Sequence, residues 1–436
     1  MVESGEDKIQ VEVSETGPIS RELEVGVPAF RVEQAFLQAF KQLGKQVSVK
    51  GFRKGKVPVS VLKKLYGTSV AEDVERLVVS ETLPEALEKA EIRPVAEPAV
   101  DGGVPLSGED YSYRATVEVK PLISLPGLTG LSAKRPKVAV EEDSVVTELD
   151  LLRDRRASFV DETPETNATG GHHLTIDYVG RIKGEAFEGG SGEGVTLEIG
   201  GGRFIPGFEE QLEGAKIGED LEVRVSFPED YGHEGLAGEE ATFAVHVVKI
   251  QRRDLPELDA DFAKAEGDFD SIDALKDSIR ERLVKEKEEL ADKEERKSVL
   301  DSLLEGCEFD APPGMVESRL NQRLEMTARQ LGQAFGDELP NQLARWREEW
   351  RDQSEREVKE HLVLEAVAAD KGFEATEDDV EERLTQMTRD QGIDLERLRS
   401  AYEQPGMLDA LKSEIASEQA VAFLRSEAKV EMSEDS

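Results

Sequence analysis

Between Gln34 and Ala71 the chain carries Lys41, Lys45, Lys50, Arg53, Lys54, Lys56, Lys63 and Lys64, and not one acid. Over its 436 residues there are 94 Asp and Glu against 55 Lys and Arg, a formal net charge of −39. Random placement would put about eight acids in that window. The densest run is Gly51-Phe52-Arg53-Lys54-Gly55-Lys56-Val57-Pro58. Two glycines and a proline between periodic segments predict an exposed loop. Phe52 on such a loop has no helix or strand to bury it. The chemistry on offer is docking: charge-assisted contacts to an anionic partner around an aromatic anchor. A plain basic loop on a solvated face has the same composition, so residue types alone leave the partner open.

Other reactive side chains are sparse. His172, His173 and His233 have no acidic orienter at telling spacing and no cysteine nearby, which predicts surface roles. Cys307 is the only cysteine, so no intrachain disulfide forms; it is expected to be a small, buried or half-buried side chain rather than a nucleophile. No zinc spacing, EF-hand loop or phosphate-binding glycine loop occurs, and no metal or cofactor is expected. The N-terminal Met1-Val2-Glu3-Ser4-Gly5-Glu6-Asp7 is polar and acidic, unlike a signal peptide, and no apolar run approaches bilayer length. A cytoplasmic protein without a membrane partner is expected. The acid excess fits a nucleic-acid mimic, a disordered chain or a host with a salty cytoplasm. Persistent apolar periodicity argues against disorder, and the even spread of acids favours the salty host.

The elements that must hold these residues follow from periodicity. Ile9, Val11 and Val13, then Leu23, Val25 and Val27, alternate as two strands around a Glu15-Thr16-Gly17-Pro18 turn. Phe30 to Leu43 has helical spacing up to Gly44. After the basic loop, a short helix ending near Gly67 and a second helix from Val70 to Leu83 are expected, then a strand from Tyr111 to Val119. Residues 121–126 read as a linker, 134–140 as extended and 141–157 as helix. From His173 short alternating segments and glycine turns surround Phe204-Ile205-Pro206-Gly207-Phe208-Glu209, predicting a curled antiparallel sheet with one short helix. From Leu255 onward the chain is expected to be helical, with helices over 272–304, 315–335, 346–369 and 407–430 broken at prolines, and a disordered tail over 431–436.

The run Gly-Phe-Arg-x-Gly-x-x-Pro at 51–58 resembles the ribosome-binding signature of bacterial trigger factor, with every fixed position present. The order of elements in residues 1–120 is similar to that family's N-terminal domain. Residues 173–251 closely resemble an FKBP-type peptidyl-prolyl isomerase domain. The match is carried by Tyr178, the Phe187-Glu188 pair, the 204–209 run, Gly218-Glu219 and Phe227-Pro228-Glu229-Asp230-Tyr231. It departs from that pattern at His172, usually an acid, at Glu188, more typically aspartate, at Val195, a phenylalanine in small members, and in a short loop after Tyr231. The helical remainder, opening on Leu255-Pro256-Glu257-Leu258 and punctuated by Phe309-Asp310-Ala311-Pro312-Pro313, looks like trigger factor's C-terminal arms.

The resemblance implies a multidomain α+β protein. Residues 1–120 form an α+β ribosome-binding domain and 121–158 a linker packing on the C-terminal domain. Residues 159–252 form an FKBP-like antiparallel sheet with a short helix, and 253–436 an all-α chaperone domain. It implies an ATP-independent chaperone at the nascent-chain exit site that also isomerises X-Pro bonds. Its partners would be the ribosome, through an exit-site protein and rRNA, and nascent or unfolded polypeptides, with a homodimer off the ribosome. Gly51, Phe52, Arg53, Lys54, Gly55, Lys56 and Pro58 would dock. Isomerisation breaks no σ bond; its barrier of about 18–20 kcal/mol is amide resonance. An apolar pocket gripping the proline ring and shielding the carbonyl can favour the twisted amide without a nucleophile. The candidates are Tyr178, Phe187, Ile205, Phe208 as pocket floor, and Tyr231, though aromatics here also suit an ordinary core. Glu188 either hydrogen-bonds across the rim or is a solvated carboxylate. The competing readings are a free-standing isomerase whose helical part serves dimerisation or partner binding, and an RNA-binding protein using the basic loop alone.

Overall fold

The alternation at Leu23, Val25 and Val27 makes one apolar strand face, and the N-terminal segment is built on it. In the computed structural model, residues 8–49, 52, 57–229, 231, 236–404 and 406–434 are described, without the side chains of Glu188, Gln333, Asp390 and Gln391. Strands β1 (Gln10–Gly17) and β2 (Ser20–Val27) form an antiparallel hairpin with Val11 opposite Val25 and Val13 opposite Leu23. Helix α1 (Ala29–Gln46) lays Val32, Ala35, Phe36 and Phe40 into the same core as the three β2 residues. Those spacings of three and four put one stripe inward.

Helix α2 (Val59–Lys89) is continuous, where a break near Gly67 was expected. Glycine inside a helix costs only about 1 kcal/mol relative to alanine. The buried row Leu62, Val70, Val74 and Val78 spans that glycine and offsets the cost. Strands β3 (Ala99–Gly102) and β4 (Tyr111–Glu118) complete a sheet of order β1-β2-β4-β3. Thr82, buried on α2, donates to Val78 O at 2.7 Å and so accepts from Tyr113 Oη at 2.9 Å, joining helix to sheet.

Then come β5 (Ser132–Pro136), α3 (Glu142–Arg155), β6 (Ser158–Asp161), β7 (His173–Ile182), β8 (Glu185–Glu198), β9 (Asp220–Ser226), β10 (Glu240–Asp254), α4 (Ala260–Gly267) and α5 (Ile272–Glu305). The chain divides into two compact units, Met1–Lys137 with Asp292–Ser436, and Val138–Ala291. In the second unit the sheet order is β6-β10-β7-β8, with β9 also paired to β10, all antiparallel. Leu174, Ile176, Val223, Phe243, Val245, Val247 and Ile250 alternate inward around Phe208 and Leu212. Helix α3 buries Val145 and Leu149 against Phe262, Ala263, Leu275 and Ile279.

The rest of the first unit is helical: α6 (Pro313–Phe335), α7 (Leu339–Glu349), α8 (Arg351–Lys371), α9 (Glu377–Gln391), α10 (Leu395–Tyr402) and α11 (Met407–Glu427). The single helix expected over 346–369 is broken at Trp350. There Trp346 stacks on Trp350 at 5.2 Å and the Arg323 guanidinium lies 4.6 Å from the Trp350 ring centre. Of the tail expected to be disordered over 431–436, residues 431–433 instead belong to β11 (Lys429–Ser433), parallel to β5, and residues 435 and 436 lie outside the described residues. The other edge of β5 is satisfied by α5, whose Ser302 and Ser298 hydroxyls accept from the backbone N–H of Ser132 and Lys134. Arg135 on β5 and Arg425 on α11 both bond Asp292 and the buried Glu295 on α5, at 2.5–2.9 Å. Leu128, Leu131 and Ala133 pack with Val299, Leu303, Val363, Val367 and Leu424, which seats the segment before β5 among the helices.

Candidate functional site

Five sequence-expected residues of the second unit converge. Tyr178, Phe187, Ile205, Phe208 and Tyr231 line one cavity of about 480 Å³, together with Phe204, Pro206, Phe227, Pro228, Leu236 and Phe243. Strand period explains the convergence. Tyr178 on β7 points inward opposite Val245 on β10, and Phe243, two residues along β10, shares that face. The rings meet edge to face, with Tyr178–Phe243 centroids 5.9 Å apart, Phe208–Phe243 5.3 Å and Phe187–Phe227 5.9 Å. Phe204 stacks on Phe208 at 5.2 Å, and Tyr231 leans on Phe227 at 4.8 Å.

Exposure grades the cavity from floor to rim. Phe208 is 1% exposed, whereas Tyr231 is 41% exposed. Phe208 is therefore as much the hub of the core as the bottom of the pocket. Phe187 reaches the wall because residue 190 is glycine: a Cβ there would lie 2.7 Å from Phe187 Cζ. The Glu188 side chain lies outside the described residues.

Behind the 203–206 wall sits Glu209, 5% exposed. Its Oε2 accepts from Gly202 N at 2.8 Å, and its Oε1 from Arg203 N at 3.0 Å and Phe204 N at 3.1 Å. Burial alone would raise this carboxyl, but the backbone N–H groups of Gly202, Phe204, Arg203 and Gly200 outweigh it and hold the group below the usual carboxylate range. The family run contained Glu209, but nothing in its residue type announced a buried carboxylate. Phe227 stood in the family run 227–231 without a role of its own, and Phe243 was legible only as part of a last strand with Val245 and Val247; the place of Phe243 in the wall needed the sheet register.

A larger cavity, about 840 Å³, lies over β7 to β10 and is lined by Asp177, Glu193, Asp220, Glu222 and His246 together with Tyr178, Val179, Leu221 and Val245. Asp177 and Val179 flank Tyr178, Asp220 and Glu222 flank Leu221, and His246 follows Val245, so strand period sends their side chains to the opposite sheet face, while Tyr178 borders both cavities. His246 Nδ1 sits 2.7 Å from Asp220 Oδ1. Four carboxylates, Asp177, Glu193, Asp220 and Glu222, border the larger cavity, whereas aromatic and aliphatic side chains wall the smaller one, so the smaller one is the better candidate for gripping a proline ring. No cluster of His, Cys, Asp or Glu among the described residues could hold a metal ion.

In the first unit, α1 and α2 frame the basic loop. Lys41, Lys45 and Lys64 are exposed on the two helices, and Lys63 Nζ donates to Ser107 Oγ at 2.9 Å. Phe52 is 39% exposed, with its N–H bonded to Val49 O at 3.0 Å. Val57 is buried in the helix-sheet core and Pro58 caps α2, so the loop re-enters the fold at an anchored point. Gly51, Arg53, Lys54, Gly55 and Lys56 lie outside the described residues. No helix among the described residues is long and apolar enough to cross a membrane. Cys307 is half-buried, and burial pushes its thiol up.

The arrangement can be set beside known proteins. The family model of bacterial trigger factor protein matches residues 9–152, and that of its C-terminus matches 271–426. The FKBP-type peptidyl-prolyl cis-trans isomerase model matches 165–248, which contains the aromatic pocket. The chain is 36% identical to a trigger factor of Halothermothrix orenii over 411 residues, covering 92% of this chain and 95% of that one. It is 38% identical to a trigger factor of Natranaerobius thermophilus over 421 residues, covering 95% and 94%. A solved trigger factor chaperone, 20% identical, covers 96% of this chain and 99% of its own, with a TM-score of 0.46.

Proposed function

This chain belongs to the bacterial trigger factor family, and from that premise we propose that residues 1–120 dock on the ribosome, 159–252 isomerise prolyl bonds, and 253–436, with 121–158 packed on them, hold unfolded chain. The protein is a ribosome-associated chaperone with an FKBP-type peptidyl-prolyl isomerase domain. Family matches on both sides of the isomerase segment disfavour a free-standing isomerase.

The observation that carries the site assignment is the single aromatic cavity that collects Tyr178, Phe187, Ile205, Phe208 and Tyr231. In it a proline ring packs on aromatic and aliphatic walls while its preceding carbonyl leaves water. Withdrawing water from that carbonyl weakens the charge-separated amide resonance form that resists rotation, so the twisted state gains relative to the planar one. Uncatalysed exchange takes on the order of tens to hundreds of seconds.

On the ribosome, Phe52 fills an apolar slot while Arg53 and Lys54 meet rRNA phosphates or an acidic protein surface, and Gly51, Gly55, Lys56 and Pro58 shape the loop. The chaperone works without ATP in the cytoplasm and forms a homodimer off the ribosome. Full-length protein should co-sediment with ribosomes from its host and accelerate cis/trans exchange of a prolyl peptide followed by exchange NMR. A chain that does neither overturns this division of labour. Sedimentation equilibrium of the free protein tests the dimer, which a monomer at micromolar concentration would remove.

A further inference from the structure

Gripping a proline ring needs no buried carboxylate, yet Glu209 lies directly behind the pocket wall. The buried polar or charged side chains among the described residues are Thr82, Glu209, Glu295 and Ser354. Glu295 is met by two arginines. Glu209 alone of the four is held only by backbone N–H groups, those of the consecutive residues Gly202, Arg203 and Phe204 at 2.8–3.1 Å, with that of Gly200 also favouring its charge. Three convergent N–H groups form an anion-binding nest. Gly202, at φ +67°, opens that nest in the left-handed region that favours glycine.

The wall is thereby tied at both ends. Glu209 holds the backbone at 202–204, and the Phe208 N–H bonds Ile205 O at 3.0 Å. Phe204, Ile205 and Pro206 hang between these two ties and line the cavity. We propose that Glu209 is a positioning residue for prolyl isomerisation: its charged carboxylate fixes the 202–204 backbone so that Phe204, Ile205 and Pro206 stand as a preformed wall against the proline ring. The inference rests on the pocket assignment above and deepens it.

The chemistry of the two carboxylate oxygens defines the perturbation. Arg203 and Phe204 share Oε1, and Gly202 takes Oε2. In Glu209→Gln one of those oxygens becomes an NH2 group, which donates where the nest also donates. At least one N–H then loses its acceptor, and the wall loosens without any change in the rings that line the cavity. A looser wall must be ordered at each binding event, which weakens ground-state binding and the near-attack geometry together.

The test uses the full-length chain, a proline-containing peptide and exchange NMR across peptide concentrations. Glu209→Gln should lower kcat/KM about tenfold, with most of the loss in KM. Amide exchange at 202–204 should quicken while core amides such as Ile176 and Val247 stay protected. In the wild type, activity and protection at 202–204 should fall together and reversibly in acid, below the usual carboxylate range, and this step should be missing from Glu209→Gln. A purely structural role would instead lower protection throughout the domain and leave kcat and KM unchanged while it stays folded. If Glu209→Gln does not fold, Glu209→Asp, which keeps the charge and shortens the reach by one methylene, carries the same comparison. A folded Glu209 variant with wild-type kcat and KM overturns the inference. Should Phe208→Leu slow the reaction in that same series, the pocket assignment survives and only Glu209 is dismissed. If both variants keep wild-type rates, the pocket assignment itself falls.

Discussion

Replacing Phe208 by leucine separates its two roles, hub of a core and floor of a pocket. The ring is 1% exposed and touches Phe204, Phe243 and Tyr178 at centroid distances of 5.2, 5.3 and 6.4 Å. Truncation to alanine would cost about 3–5 kcal/mol in lost transfer and cavity energy. Aromatic pairing adds roughly 0.5–1.5 kcal/mol per good pair. Against a typical domain stability of about 5–15 kcal/mol, Phe208→Ala risks unfolding, and a lost rate would then say nothing about chemistry. Leucine keeps much of the volume and gives up the flat ring; the expected cost is about 1–2 kcal/mol. At roughly 4–8 °C per kcal/mol for a domain of this size, the isomerase transition should drop by about 5–15 °C and leave the domain folded at 20 °C. The proline ring would lose its aromatic floor, and a tenfold fall in kcat/KM, equivalent to ~1.4 kcal/mol, is expected by exchange NMR on a prolyl peptide. A folded Phe208→Leu protein with unchanged kcat/KM would show that the floor is core alone, and the isomerisation site would have to be sought elsewhere in the domain.

Changing Phe52, Arg53 and Lys54 together to Ala should abolish co-sedimentation with ribosomes while peptide isomerisation persists; retention of wild-type binding would remove the loop from the docking surface. Ribosome binding by the unaltered chain should weaken with added salt, less steeply the more Phe52 contributes. Melting temperature should rise from dilute buffer to molar salt, because −39 net charge is self-repelling and screening acts over ~10 Å at 0.1 M; a flat or falling curve counts against the salty-host account. Arg425→Met should destabilise the first unit by about 1–3 kcal/mol in chemical denaturation, the partial exposure of Arg425 keeping it below a fully buried pair. The bonds from Arg425 and Arg135 hold Glu295 below the usual carboxylate range against burial, which raises it. That stability is present above about pH 4.3 and is lost as pH falls through the lower folded value. The variant should lose less on acidification, and identical acid profiles would refute the linkage.

Much of this protein was legible because local patterns and tertiary environment agreed. The period-two runs at 23–27 and 111–117 became buried strand faces, and of the acid-free window Lys41, Lys45, Lys63 and Lys64 stand exposed on α1 and α2. The four aromatic candidates at 178, 187, 208 and 231, and Ile205, were named from a family pattern in the chain itself, and the fold brought all five to one cavity. Where local rules misled, long-range contacts had outweighed them. Gly67 did not stop α2, because residues on either side of it are buried in one core. The polar tail at 429–433 carries no strand signature strong enough to stand alone; it is ordered by the backbone of β5, nearly 300 residues earlier. The break at Trp350 carries no proline or glycine to announce it; Trp346 stacks on Trp350 at helical spacing, but Arg323, on another helix, meets the same ring at no spacing the sequence could show. Glu209 shows the limit most directly. A glutamate in sequence is a solvated charge by default, and only the three backbone N–H groups that the folded 202–204 turn aims at it make burial affordable. The sequence by itself determined which residues are apolar, cationic or turn-forming, and therefore which family and which chemistry. The tertiary structure alone decided which of them meet, because hydrogen-bond partners and cavity walls are assembled from segments whose separation along the chain carries no local trace.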